Sequence, residues 1–120
     1  MIVVDSSAVL AYLQDEPGAD LVRASLQDGG VISAVNWSEV TQKVRRTDAW
    51  ELARTLLLGF PLQIVSVTTD DAEAAAALWT TGSTLSLADR FCIALGARLQ
   101  LPVLSADREW FERPEVIPVR

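Results

Sequence analysis

The chain contains no histidine, which removes the commonest general base and most zinc-site designs. Its single cysteine, Cys92, has no partner for an internal disulfide, so a reducing, intracellular setting is expected. Lys43 is the one lysine, and 10 basic side chains face 16 acidic ones for a net charge of −6. That balance argues against a broad basic surface for nucleic acid. It leaves open chemistry on RNA through metal ions, and it suits a basic partner peptide. No apolar run approaches the ~18 residues that a membrane span needs. The start, Met1-Ile2-Val3-Val4-Asp5, has no basic region before its first charge. Neither a secretory signal nor a membrane anchor is expected, and the protein is read as cytosolic.

What is present is apolar and regularly interrupted. Half of the 120 residues are hydrophobic, enough for one core, and no linker, repeat or low-complexity stretch divides residues 1–120. Short β-branched runs read as strands at Ile2–Val4, Val31–Ser33, Gln63–Val67, Leu101–Leu104 and, weakly, Val116–Val119. Between them lie helical stretches. One starts near Ala8 with Ser6 or Ser7 as cap, and a second covers Ala19 to Leu26. A third carries Val35, Glu39 and Val40, with Ser33 or Asn36 as cap. A fourth runs from Asp48 to Leu58, an alanine-rich one from Asp70 to Trp79 is capped by Thr69, and the last covers Leu87–Leu99 behind Ser86. Strands alternating with helices predict one α/β domain, a parallel sheet with helices on both faces.

Four acids stand at the junctions of this pattern: Asp5, Glu39, Asp89 and Asp107. In parallel sheets, ligands bind beyond the C-terminal strand ends. Asp5 and Asp107 follow strands, while Glu39 and Asp89 fall in the first turns of helices that start at the same edge. Brought together, each like-charged pair about 4 Å apart costs roughly 4 kcal/mol at an effective dielectric of about 20. A divalent cation relieves that cost. Each acid also has a plainer reading. Asp5 and Asp107 are possible helix caps, and Glu39 on its mixed face is an ordinary surface residue. Asp89 is the sharpest, because a charge within Leu87–Leu95 costs stability unless paired or coordinated. Hard carboxylate oxygens suit Mg2+, or alternatively Mn2+.

These residues resemble a known family. Asp5-Ser6-Ser7-Ala8 is similar to the Asp-(Ser/Thr)-Ser-Ala opening of PIN domains, and Glu39 sits in the expected early helix. Leu85 to Arg90 with Ala94 resembles the helix bearing their third acid. Leu104-Ser105-Ala106-Asp107-Arg108 with Trp110 looks like their Thr-x-Asp-x-x-(Phe/Trp) end, with Ser105 in place of threonine. The resemblance runs the length of the chain and is nearest the VapC type, the toxin half of toxin–antitoxin pairs. It implies a three-layer α/β/α sandwich around a mostly parallel sheet of four or five strands. It further implies a Mg2+- or Mn2+-dependent endoribonuclease in which Asp5, Glu39, Asp89 and Asp107 form the catalytic metal site. A homodimer is implied, with a VapB-type antitoxin whose basic C-terminal tail covers the acidic pocket.

Ser6, Ser105, Arg90 and Arg108 are candidates for contacts to the RNA substrate, and Arg45, Arg46 and Arg54 are further candidates for holding its phosphates. Most of these arginines are more simply read as ordinary solvated helix charges. Trp37, Trp50, Trp79 and Trp110 divide between core and interaction surface, with at least two expected inside, and Cys92 is expected to be a buried hydrophobe. From a different functional class comes a PIN-like interaction module that has lost catalysis. A phospho-acceptor receiver domain fits poorly, because Ser6 and Ser7 stand after Asp5 where it needs acids, and Lys43 lies far from the last strand.

Overall fold

In the computed structural model, which describes residues 1–120, short strands suffice at the centre of the sheet because Val3, Val4, Val31, Ile32, Val103 and Leu104 are buried. Strand β1 (Ile2–Val4) leads to helices α1 (Ser6–Leu13) and α2 (Ala19–Gly29), then β2 (Gly30–Ser33) to α3 (Ala34–Arg45) and α4 (Trp50–Leu58). Strand β3 (Leu62–Val65) leads to α5 (Thr69–Ala77) and α6 (Leu87–Leu99). After β4 (Val103–Ser105) a 3-10 turn at Arg108–Trp110 precedes β5 (Val116–Pro118). The sheet has the order β3-β2-β1-β4-β5, and every neighbouring pair is parallel. No helix is long and apolar enough to cross a membrane.

Period-two alternation sends neighbouring strand residues into opposite cores. Val4, Ile32 and Leu104 pack beneath the α1–α4 layer with Val9, Leu26, Val40 and Leu57. Val3, Val31 and Val103 face the other way, onto Cys92, Ile93 and Leu95 of α6 and onto Trp110. The chain winds outward from β1 through β2 to β3, then returns across β1 to β4 and β5. Right-handed crossovers therefore put the first four helices on one face and α5 and α6 on the other. The winding reverses between β1 and β4, the switch point beside which ligands bind in open parallel sheets.

Local signals differ from the sequence expectation at several ends. Helix α1 begins at Ser6, with Asp5 in the cap position but giving no side-chain cap bond. Ser33, not Asn36, caps α3 by accepting from the Val35 amide. Helix α4 starts at Trp50 rather than Asp48, whose φ of 57° is left-handed. The α5 cap is Thr68, because Asp71 completes a capping box with it. Asp71 also takes a forked pair from Arg98, Nε to Oδ1 at 2.7 Å and Nη2 to Oδ2 at 3.1 Å, which pins the alanine-rich α5 to α6. Trp50 and Trp110 are buried, Trp37 packs edge-on against Trp50, and Trp79 is 57% exposed.

The C-terminal segment closes over the α1–α2 junction at Gly18. Its φ is +95°, and a Cβ there would fall 2.3 Å from the Val119 carbonyl oxygen. Both strain and collision oppose a side chain. Gly18→Ala is expected to lower unfolding stability by about 1–3 kcal/mol. It should appear as a lower urea midpoint with an unchanged m value.

Candidate active site

Asp5 leaves β1 at the reversal of winding and is only 2% exposed. Its Oδ2 accepts hydrogen bonds from Ser7 Oγ and, at 3.1 Å, from Ser105 Oγ, whereas Oδ1 is buried with no partner. Ser7 Oγ in turn accepts from the Ala106 amide at 3.0 Å, which ties the first turn of α1 to the loop after β4. Ser105 Oγ also accepts from the Asp107 amide at 3.0 Å. Two adjacent strand ends thus share one hydroxyl network around one carboxylate.

The other acids reach the same edge from helix starts. Glu39, on the second turn of α3, accepts on Oε1 from Ser6 Oγ at 2.8 Å and from Asn36 Nδ2 at 3.1 Å. Asp89 forms the capping box of α6: its Oδ2 accepts from the Ser86 amide at 2.9 Å, and its own amide donates to Ser86 Oγ. Asp107 caps the 3-10 turn through Oδ1, which accepts from the Glu109 amide at 3.0 Å. Each of the four acids therefore has one oxygen held by local donors and a second that accepts no hydrogen bond. None forms an ion pair with arginine or lysine; the ion pairs of the fold lie at Asp71, Glu115 and Glu16.

Electrostatics ties the four together. Burial raises the Asp5 pKa from 3.8 to about 6; Ser7 and Ser105 oppose the rise, while the charges of Asp89 and Glu39 add to it. Burial also raises Asp89 against its Ser86 donors, with Glu39 and Asp107 contributing. The Cys92 thiol is pushed well above its ordinary range by burial and then by Asp5, Asp89 and Glu39. Cys92 is thus a protonated core residue, with no thiolate to offer as nucleophile or ligand. Asp5, Glu39 and Asp89 converge, and Asp107 reaches the group through Asp89. As their side chains stand, however, no three of these acids close around a point that one ion could occupy. Each is turned to its own donor.

The donor set fits a hard divalent cation: four carboxylates, four oxygens without hydrogen bonds, one of them orphaned in the interior, and no basic side chain to neutralise them. Ser7 and Asn36 belong to this arrangement although the sequence marks neither as a site residue; Ser7 was visible only as a cap and as part of the opening motif. Among the candidate substrate contacts, Ser6 and Ser105 are engaged with Glu39 and Asp5. Arg90 turns away, Nη1 donating to the Ala75 carbonyl at 3.1 Å. Arg108 is exposed beside Asp107 and makes no ion pair. A separate cavity of about 250 Å³, lined by Leu10, Leu13, Val44 and Leu56 among others, lies between α1, α3 and α4 and includes none of the acids.

The raised Asp5 pKa fixes a sign. Between pH 3.8 and about 6 the folded protein keeps the Asp5 proton that the unfolded chain has released, so stability falls as pH rises through this window. A shift of this size amounts to about 3 kcal/mol. In a chelator, Asp5→Asn is expected to remove that fall, since its amide oxygen still accepts from Ser7 and Ser105. Urea midpoints of the two proteins should coincide near pH 4 and separate by pH 7.5, with the variant the more stable.

The comparisons with known proteins agree with this architecture. Residues 2–116 match the family model of the PIN domain. A toxin–antitoxin complex from Klebsiella pneumoniae contains a chain that superposes with a TM-score of 0.82 at 19% identity, covering 100% of this chain and 98% of that one. VapC20 of Mycobacterium tuberculosis, a toxin that cleaves the sarcin-ricin loop, gives 0.75 at 20% identity over 98% and 100%. DNA-bound VapBC from Salmonella typhimurium gives 0.73 at 16% identity over the full length of both chains. No curated protein matches the sequence at a significant level. The matched length, the all-parallel five-stranded sheet and the acids at its winding reversal together make this chain a member of the PIN-domain family.

Proposed function

We infer that this PIN domain is a Mg2+- or Mn2+-dependent endoribonuclease and the toxin half of a VapBC-type pair. The observation that carries the reading is the set of four unneutralised carboxylates at the winding reversal, each with an oxygen left free of hydrogen bonds. Asp5 and Asp89 are the central ligands in this reading, with Glu39 and Asp107 as direct or water-mediated ones. Bound among them, such a cation supplies Lewis acidity toward a phosphodiester and its attacking water.

The chain's own residues do the rest. Ser7 and Ser105 stabilise the ionised form of Asp5 by donating to Oδ2, which partly offsets its burial. Ser86 donors do the same for Asp89. Ser6 orients Glu39 by holding Oε1. Arg108, exposed at the rim, is the candidate contact to an RNA phosphate. A net charge of −6 and this acidic rim suit an antitoxin with a basic C-terminal tail, which would mask the site by charge complementarity. The superposed chains from Klebsiella and Salmonella come from toxin–antitoxin assemblies, which supports the same partner class here. A homodimer acting in the cytoplasm completes the proposal.

Two measurements test it. Asp89→Asn should leave the fold intact while RNA cleavage falls at least about a hundredfold, since loss even of residues supporting a ligand costs 10–100-fold. A variant that cleaves as well as the parent would overturn the site assignment. Separately, millimolar Mn2+ should raise the melting temperature by binding the folded state alone, worth about 2.7 kcal/mol at one hundred times the dissociation constant. Indifference of the melting curve to both Mn2+ and Mg2+ would count against a cation site.

A further inference from the structure

Helix α3 buries two residues, Asn36 and Val40, one turn apart on its inward stripe. Val40 belongs to the apolar core. Asn36 is 0% exposed at a position where an apolar residue would pack without desolvating an amide. Its Nδ2 donates in two directions, to Glu39 Oε1 at 3.1 Å and to the carbonyl of Ala88 at 3.2 Å, the residue before Asp89. The amide cannot be turned over, because Oδ1 would then oppose two acceptors. In the orientation that remains, Oδ1 is buried and has no partner.

An unsatisfied acceptor in the interior works against stability. A side chain kept there at that cost, with one amide hydrogen on the Glu39 carboxylate and the other on the carbonyl next to Asp89, has a role beyond packing. The bond to Glu39 fixes which oxygen of that carboxylate is occupied. The bond to Ala88 anchors the first turn of α6, and Asp89 follows directly. No other side-chain hydrogen bond joins α3 to α6.

We propose that Asn36 is a positioning residue that sets the distance and relative orientation of Glu39 and Asp89, so that both present a free oxygen to the same cation. This rests on the reading of the four acids as a cation site. Like the partners that orient metal ligands elsewhere, such a residue acts on affinity without touching the ion.

The test uses the purified full chain, with Mn2+ binding followed by titration calorimetry and by the spin resonance of free Mn2+. Asn36→Leu removes both donors at similar volume, and Asn36→Thr retains a donor for one acceptor. For Asn36→Leu the metal-free melting temperature should stay within about 5 °C of the parent. Its Mn2+ affinity should fall by about 10–100-fold, with Asn36→Thr between the two. A folded variant that binds Mn2+ as tightly as the parent overturns the proposal. So does a large loss of melting temperature with unchanged affinity, or failure of both variants to fold, since either marks a purely structural amide. If the parent itself binds no Mn2+ at millimolar concentration, the cation reading fails first and the role of Asn36 falls with it.

Discussion

Asp5 is a carboxylate withdrawn from water at the one point where the sheet changes its direction of winding. That placement is costly, because burial alone pushes the acid toward its protonated form and two neighbouring acids push it further. The surroundings are arranged to limit the cost without removing it. Two serine hydroxyls, one from the first turn of α1 and one from the end of β4, satisfy one oxygen, and the other is left bare.

The architecture around Asp5 follows from its position. Parallel strands have all their C-terminal ends at one edge, so β1, β2 and β4 deliver Asp5, the start of α3 and Asp107 to one rim. Helix α6 comes from the opposite layer and meets that rim with its N-terminus, where a first-turn carboxylate is favoured by the helix dipole. Asp89 is therefore supported twice, as half of a capping box and as a carboxylate at a positive helix end. The same geometry holds the acids near one another yet lets each keep a private donor, which is why they converge without closing on a point.

Away from the rim the structure does ordinary work. The Arg98–Asp71 fork fastens the alanine-rich α5 to α6. Gly18 lets the last residues of the chain lie against the α1–α2 turn. Trp50 and Trp110 fill the two cores, one on each face of the sheet.

Much of this was legible in the linear order of residues. Alternating apolar runs and caps specify the α/β class because strand and helix periods are local, and Ser86 with Asp89 writes its capping box within four residues. The PIN resemblance located all four acids, since each lies in a short motif beside its own element. Local pattern was less able to set ends. Asp48 read as a helix start and Thr69 as a cap, yet Asp71 pairs with Thr68 and the chain at Asp48 is left-handed. Beyond that, the sequence by itself determined which residues are acidic, which elements carry them and that those elements begin or end at one edge. Only the tertiary structure decided that Asp5 is dry, that Arg90 points to Ala75, and that Ser7 and Asn36 serve the acids. The physical reason is distance along the chain. The bonds from Ser6 to Glu39, Asn36 to Ala88 and Ser105 to Asp5 span 33, 52 and 100 residues. Such contacts exist only once two packed layers have brought the partners within hydrogen-bonding range.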